Sequence, residues 1–144
     1  PNFPETATYP EALRGVDGVR EGGYLRGEDV PKVLSRALAV VLPYRTATGT
    51  SGVLHLVSGA GVPVVAPARR EFRELRREGA GLVLCELEPG SMAEALEALI
   101  RDEGLWLSTA RRSLEFARRR SWDRVADAMY GIIASLARGP RGNQ

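Results

Sequence analysis

Three short runs of consecutive apolar residues alternate along the chain with segments whose apolar positions recur every three or four residues. The runs are Ala39–Leu42, Val64–Ala66 and Leu82–Cys85, and each is bounded by glycine or proline. Short, continuously apolar runs with such boundaries are typical of parallel strands that are buried on both faces. A weaker run, Val19–Leu25, contains two adjacent glycines and is a candidate for a fourth strand.

Helical spacing of apolar residues predicts helices over 29–38, 51–59 and 69–78. After the third strand only helices follow, and the first of these is predicted to open with a capping box at Ser91. The strongest stripe predicts a last helix that is capped by Ser121 and turns its apolar side chains, including Trp122, toward the core. This alternation predicts a Rossmann-like parallel α/β sheet flanked by helices, with a helical C-terminal extension.

Composition favours one domain over residues 1–138, followed by a flexible polar tail at 139–144. The 144 residues are 44% hydrophobic and 26% charged, which suffices for a core without disulfide or metal support. A single cysteine and a single histidine exclude a disulfide framework and a zinc cluster, so we expect no metal and a buried, apolar role for Cys85. No apolar run approaches the ~20 residues of a membrane span, and no leader is recognisable at the start, so the expected location is the cytoplasm.

The charge balance argues against a nucleic acid partner. Of the 20 basic residues all but Lys32 are arginine, which is typical of GC-rich codon usage, and the net charge is only +2. No long basic stripe accumulates along the chain. The paired arginines Arg69–Arg70 and Arg76–Arg77 are expected on a solvated helix surface, with Arg69 or Arg70 as a remote candidate for phosphate contact.

The loop at 43–52 is the candidate binding site, because it joins the carboxyl end of a predicted strand to the start of a helix. Ligands of such sheets bind at this edge, and the backbone N–H groups of a helix N-terminus favour an anion such as a diphosphate. The residues proposed to hold it are small or carry hydroxyls: Thr48, Gly49, Thr50, Ser51 and Gly52. The alternative is a plain N-cap turn with Thr50 or Ser51 as the cap. For Tyr44 and Arg45, nucleotide contact and simple loop packing are both open.

Several segments in this order resemble a known family. They are Ala39–Pro43 with the glycine-bearing turn, Gly61–Ala66, Glu74–Leu75 and Gly79–Val83, with further similarity at 19–25, 29–39 and 120–126. Together they resemble the nucleotide-sugar-binding C-terminal domain of the group 1 glycosyltransferases, which are retaining enzymes of the GT-B type. The resemblance extends over residues 19–136.

The resemblance implies transfer of a sugar, of hexosyltransferase type, from a nucleotide-diphosphate sugar to a hydroxyl acceptor with retention of configuration. The nucleotide sugar is the substrate, and no further cofactor is implied. Diphosphate-binding amides correspond to Gly49, Thr50 and Ser51, with Gly52 next; Glu74 corresponds to a family glutamate that contacts the donor. The family also implies a longer chain, in which an N-terminal acceptor domain, or else another copy of the chain, covers the edge of the sheet.

Two departures from the family leave a second interpretation open. The family carries two glutamates eight positions apart, and these positions hold Thr48 and Leu56 here. His55 is adjacent to the second position and is a candidate for donor contact, with core packing as the alternative. No catalytic residue is assigned. The alternative function is a non-catalytic module of the same fold that binds a nucleotide sugar or another protein. A receiver-type regulator is disfavoured, because no acidic cluster stands at a strand end.

Overall fold

The computed structural model describes residues 13–45 and 51–137. Contacts between Cα atoms divide the chain into two compact units, residues 1–32 and 33–144. In the first unit Arg26 forms ion pairs with Glu28 at 3.0 Å and with Asp29 at 3.2 Å. Residues 19–25 are exposed and form no strand, so the prediction of a fourth strand is wrong. An exposed segment has no neighbour to complete the hydrogen bonds that a strand needs.

The second unit contains a parallel sheet of three strands in the described residues, in the order β1-β2-β3: Val40–Val41, Val64–Pro67 and Leu82–Cys85. Val40 is in register with Val64, and Val64 with Leu82. Every residue of the central strand β2 is buried, as its unbroken apolar sequence predicts. The predicted parallel α/β fold with a helical extension is therefore confirmed.

The helices of the described residues are numbered in chain order: α1 Val30–Leu34, α2 Gly52–Gly59, α3 Arg70–Arg77, α4 Pro89–Arg101, α5 Glu103–Arg119 and α6 Trp122–Ala137. Helix α1 is shorter than predicted, whereas α2 and α3 begin and end within a residue of their predicted bounds. The predicted capping box at Ser91 is wrong, because α4 already begins at Pro89, a residue suited to the first helical position. The Ser91 hydroxyl instead accepts a hydrogen bond from the Glu86 N–H at 3.0 Å.

Helix α5 packs against α2, α4 and β3. Its Phe116 is fully buried, and its Ser113 hydroxyl donates to the Val62 carbonyl at 3.1 Å. Arg112 and Arg119 donate to the carbonyls of Arg76 and Glu78, both at 3.0 Å, and so satisfy acceptors at the C-terminal end of α3.

Cys85 is buried, as predicted, with its Sγ 3.6 Å from the Ala66 carbonyl oxygen. Burial raises the pKa of its thiol, and the nearby Glu86 carboxylate adds to this effect. The Cys85 side chain therefore stays neutral and belongs to an apolar cluster with Val65 of β2 and with Ala95 and Leu99 of α4.

Helix α6 presents an exposed apolar stripe. Ser121 caps it as predicted, since the Ser121 hydroxyl accepts from the Arg124 N–H at 3.4 Å. The prediction that Trp122 belongs to the core is wrong: Trp122 is 86% exposed, and no residue of α6 is buried by the described part of the chain. Helical spacing of apolar residues identifies a face, but burial requires a covering element. No helix among the described residues has both the length and the apolar content to cross a bilayer.

Candidate functional site

The carboxyl end of β1 leads directly into the predicted site. The Leu42 N–H donates to the Val65 carbonyl at 2.9 Å, which keeps the chain paired with β2 just beyond the strand. Tyr44 is half-buried and Arg45 is exposed. Thr48, Gly49 and Thr50, the first three of the predicted diphosphate-binding residues, lie outside the described residues.

Helix α2 begins on the other side of this loop with a well-formed N-cap. The Ser51 hydroxyl accepts a hydrogen bond from the Leu54 N–H at 3.2 Å, so Ser51 is the cap, as the alternative of an N-cap turn predicts. The exposed Gly52 follows, and the first turn contains no acidic residue. The amides at this end are therefore not neutralised by a carboxylate of their own helix, which leaves the positive end of the helix dipole available to an anion.

Tyr44 connects the two ends of the loop. Its hydroxyl lies 3.4 Å from the Ser51 hydroxyl, and either group can donate. Its ring centroid lies 6.0 Å from that of Phe72, a buried residue in α3. These contacts bring the end of β1, the start of α2 and the first turns of α3 to one region at the carboxyl edge of the sheet.

Arg69 and Arg70 stand where β2 passes into α3, and their surroundings differ. Arg70 is exposed, and its Nε donates to the Glu74 carboxylate at 2.9 Å. Arg69 is half-buried, and its Nε is buried without a hydrogen-bond partner among the residues described. A buried guanidinium N–H without a partner is costly unless water or a ligand satisfies it, so Arg69 is the better candidate for anion contact.

Glu74 is on α3, one turn beyond Arg70 and in contact with it. Its side chain is 49% exposed, so the ion pair is largely solvated and stabilises little. Nothing in this arrangement tests its predicted contact with a donor.

His55 lies on the opposite flank of α2, where it packs against α5. The imidazole is stacked on the Phe116 ring with centroids 5.4 Å apart, and the Arg120 guanidinium lies 4.7 Å from the centre of the same ring. Burial lowers the pKa of His55 below that of a free histidine, and the positive charge of Arg120 lowers it further. A neutral imidazole at this position can donate one hydrogen bond and accept another.

A cavity of about 810 Å³ opens between α2 and the junction of α5 and α6. It extends from Gly52 at the start of α2 past His55 and Leu56 to Arg120 and Trp122. Sequence reasoning assigned no function to Arg120, because a basic residue at a helix C-terminus needs no ligand to explain it. The proximity of His55 to Arg120 depends on the docking of α5 against α2, which no local pattern reveals.

No group of three or more histidine, cysteine, aspartate or glutamate side chains that could hold a metal ion is found in residues 13–45 and 51–137. The positive groups near the start of α2 are instead backbone amides and arginines. Fold and site together define a parallel α/β protein with an uncompensated helix N-terminus at the carboxyl edge of its sheet.

A comparison with protein families gives this class a name. The family model described as "Glycosyl transferases group 1" matches residues 4–102, more than half of the chain. The chain therefore belongs to the group 1 glycosyl transferases, and the chemistry of this family is glycosyl transfer. A search of curated proteins finds no match.

Proposed function

We propose that the chain binds the diphosphate of a nucleotide-sugar donor at the N-terminus of α2 and takes part in glycosyl transfer with retention. One observation carries the proposal: a capped helix whose first turn has no carboxylate begins at the carboxyl end of β1 in a group 1 glycosyl transferase. Thr48–Gly52 would supply the amides that contact the phosphate oxygens.

Charge complementarity supports this assignment. When the bond between the anomeric carbon and the diphosphate oxygen breaks, negative charge accumulates on the leaving diphosphate. The amides of α2 lower the energy of that charge, and Arg69 offers an unsatisfied donor close to the same edge. Arg45, in the loop after β1, provides a second cation, which is exposed and can contact the phosphates or the nucleotide.

Contact with the donor sugar or its nucleotide is proposed for Tyr44, Arg45, His55 and Glu74. His55 and Leu56 line the same cavity, which also begins at Gly52. A neutral His55 can exchange hydrogen bonds with sugar hydroxyls, a role that Leu56 cannot fill. Because Leu56 stands where the family has a glutamate, a non-catalytic nucleotide-sugar-binding module is the second candidate function.

Amide NMR with a nucleoside diphosphate as the titrant tests the site. We expect the signals of Gly49–Val53 to shift first, and the uncharged nucleoside to leave them unchanged. Arg69→Gln should weaken binding about tenfold, the loss expected of one charge-assisted hydrogen bond. The neighbouring Arg70→Gln, which removes an arginine already paired with Glu74, is the matched control and should stay within about twofold.

Shifts confined to residues away from α2 would contradict the site. Turnover then separates the two candidate functions. Hydrolysis of the donor by the intact gene product, abolished by Gly49→Asp, would exclude the non-catalytic module. Diphosphate binding without any turnover would favour it.

A further inference from the structure

A second concentration of positive charge lies along α3. A groove of about 670 Å³ is lined by Arg73, Arg76 and Arg77 of α3 and by Arg112 of α5. Ala68 and Leu84 supply its apolar surface. We call it the arginine groove. An adjoining cavity of about 330 Å³ shares Ala68, Arg73 and Arg77 with it and adds Arg70.

The four arginines of the groove are not neutralised by ion pairs within the part of the chain that the structure describes. None of them forms an ion pair with a carboxylate of the described residues. Glu74 of α3 pairs with Arg70, and Glu78 at the C-cap of α3 pairs with Arg120, so neither carboxylate pairs with an arginine of the groove. The groove therefore holds a local excess of positive charge in a chain whose net charge is only +2.

The spacing of these arginines costs stability in the absence of a ligand. Arg73 is three positions before Arg76 and four before Arg77, so the three side chains are neighbours on one helix, where like charges repel. Arg112 adds a fourth positive charge from α5. An anion in the groove would relieve this repulsion, which makes the arrangement favourable for binding.

The donor geometry favours phosphate. Arg112 is held in place because its Nη2 donates to the Arg76 carbonyl at 3.0 Å. Its other N–H groups make no hydrogen bond to residues 13–45 or 51–137 and can contact a ligand. Guanidinium groups present parallel N–H donors that match two oxygens of one phosphate, and several of them converge here from two helices. We propose that the arginine groove binds a ligand with closely spaced phosphate groups, either a free polyphosphate or a phosphorylated lipid headgroup.

The arginine groove shares no lining residue with the proposed diphosphate-binding amides, although Ala68 directly precedes Arg69. Its walls are α3 and α5, and Leu84 belongs to β3, the strand at the opposite edge of the sheet from β1. The proposed diphosphate-binding amides belong to the start of α2. The proposal therefore does not depend on the proposed function.

Calorimetric titration of the full chain with inorganic tripolyphosphate tests the proposal. We expect saturable binding that weakens about tenfold or more in Arg73→Gln/Arg77→Gln. The matched control is Arg111→Gln/Arg118→Gln, which removes the same charge from exposed positions of α5 outside the groove. The control should stay within about twofold of the unsubstituted chain. In the unsubstituted chain, tripolyphosphate should also shift the side-chain Nε–Hε NMR signals of the four groove arginines, Arg73, Arg76, Arg77 and Arg112. This measurement requires no variant.

A flotation assay distinguishes the two sources of phosphate. Binding to phosphatidylglycerol vesicles but not to phosphatidylcholine vesicles, lost in Arg73→Gln/Arg77→Gln and kept in the control, would assign the groove to a lipid headgroup. Tripolyphosphate binding without vesicle binding would assign it to a free polyphosphate. Equal losses in the two double variants, or no binding of either probe at millimolar phosphate, would overturn the proposal.

Discussion

Replacing Gly81 by alanine tests the close packing of α5 against the start of β3. Gly81 immediately precedes β3 and lies against α5. A Cβ at this position would overlap with the Ser113 hydroxyl and the Thr109 carbonyl oxygen, and would lie 2.8 Å from the Ser113 backbone nitrogen. Two of these three atoms are backbone atoms of a helix, so they cannot rotate away as the end of a flexible side chain would.

The expected loss of stability has two parts. Forcing a methyl group into a filled space costs about 1–3 kcal/mol. Displacing Ser113 also breaks its 3.1 Å hydrogen bond to the Val62 carbonyl, which costs about another 1 kcal/mol or more if the acceptor stays buried and unpaired. We expect Gly81→Ala to lower the free energy of unfolding by about 3 kcal/mol, equivalent to a fall in Tm of roughly 10 °C.

The matched control is Gly131→Ala in α6. A Cβ at Gly131 meets no atom within 4 Å, and alanine is the better helix former by up to about 1 kcal/mol. The two identical substitutions should therefore change stability in opposite directions.

Urea unfolding followed by far-UV circular dichroism measures both variants, with the m-value as a check that the same transition is compared. A double variant, Gly81→Ala/Ser113→Ala, removes the hydroxyl that the new methyl group meets and should recover part of the loss. If Gly81→Ala unfolds within about 1 kcal/mol of the unsubstituted chain at the same m-value, the close packing of α5 on β3 is refuted.

Three further predictions concern the contact of His55 with α5 and the exposure of α6. His55 should titrate by NMR below the pKa of 6.5 of a free histidine, and Arg120→Gln should raise its pKa by removing a nearby positive charge; a value of 6.5 or higher would contradict the packing described. Because the pKa of His55 is lower in the folded state, the unfolded chain takes up a proton first as pH falls. The stabilisation of the folded state that is present above pH 6.5 is therefore lost as pH falls through the folded pKa. His55→Gln should remove this pH dependence of the free energy of unfolding. Among the aromatic residues, Phe116→Ala should cost about 3–5 kcal/mol and Trp122→Ala less than about 0.5 kcal/mol, because Phe116 is fully buried and Trp122 is 86% exposed; comparable losses in urea unfolding would contradict the exposure of α6.

The elements that could be predicted from the sequence are those specified by local chemistry. Val64–Ala66 is apolar on both faces and flanked by prolines, so its place as a buried parallel strand follows from its own residues. Ser51 is a cap because its hydroxyl reaches an amide three residues away, an interaction within one turn. The family resemblance likewise depends on short segments in a fixed order, and the match over residues 4–102 confirms the family.

The error at Trp122 arises because burial depends on distant partners. Trp122 and the stripe that follows it have the spacing of a core-facing helix, yet no described residue covers them. The stacking of His55 on Phe116 likewise joins residues 61 positions apart, so no local pattern predicts it. The same holds for Arg69, whose buried Nε has no hydrogen-bond partner among the described residues. Thr48, Gly49 and Thr50 lie outside the described residues, so their predicted contacts with the diphosphate stay predictions.

The two candidate functions make the same demand on α2 and differ only in what positions the sugar. An uncompensated helix N-terminus with Arg69 nearby is suited to a diphosphate whether or not a glycosidic bond is broken. Catalysis requires in addition that the anomeric carbon be held within reach of the acceptor hydroxyl, and because Leu56 is apolar we propose that His55 and Tyr44 position the sugar. Loss of diphosphate affinity in Arg69→Gln thus reports on the binding site that both functions share. Loss of turnover in a His55 variant that still binds the diphosphate would report on catalysis alone.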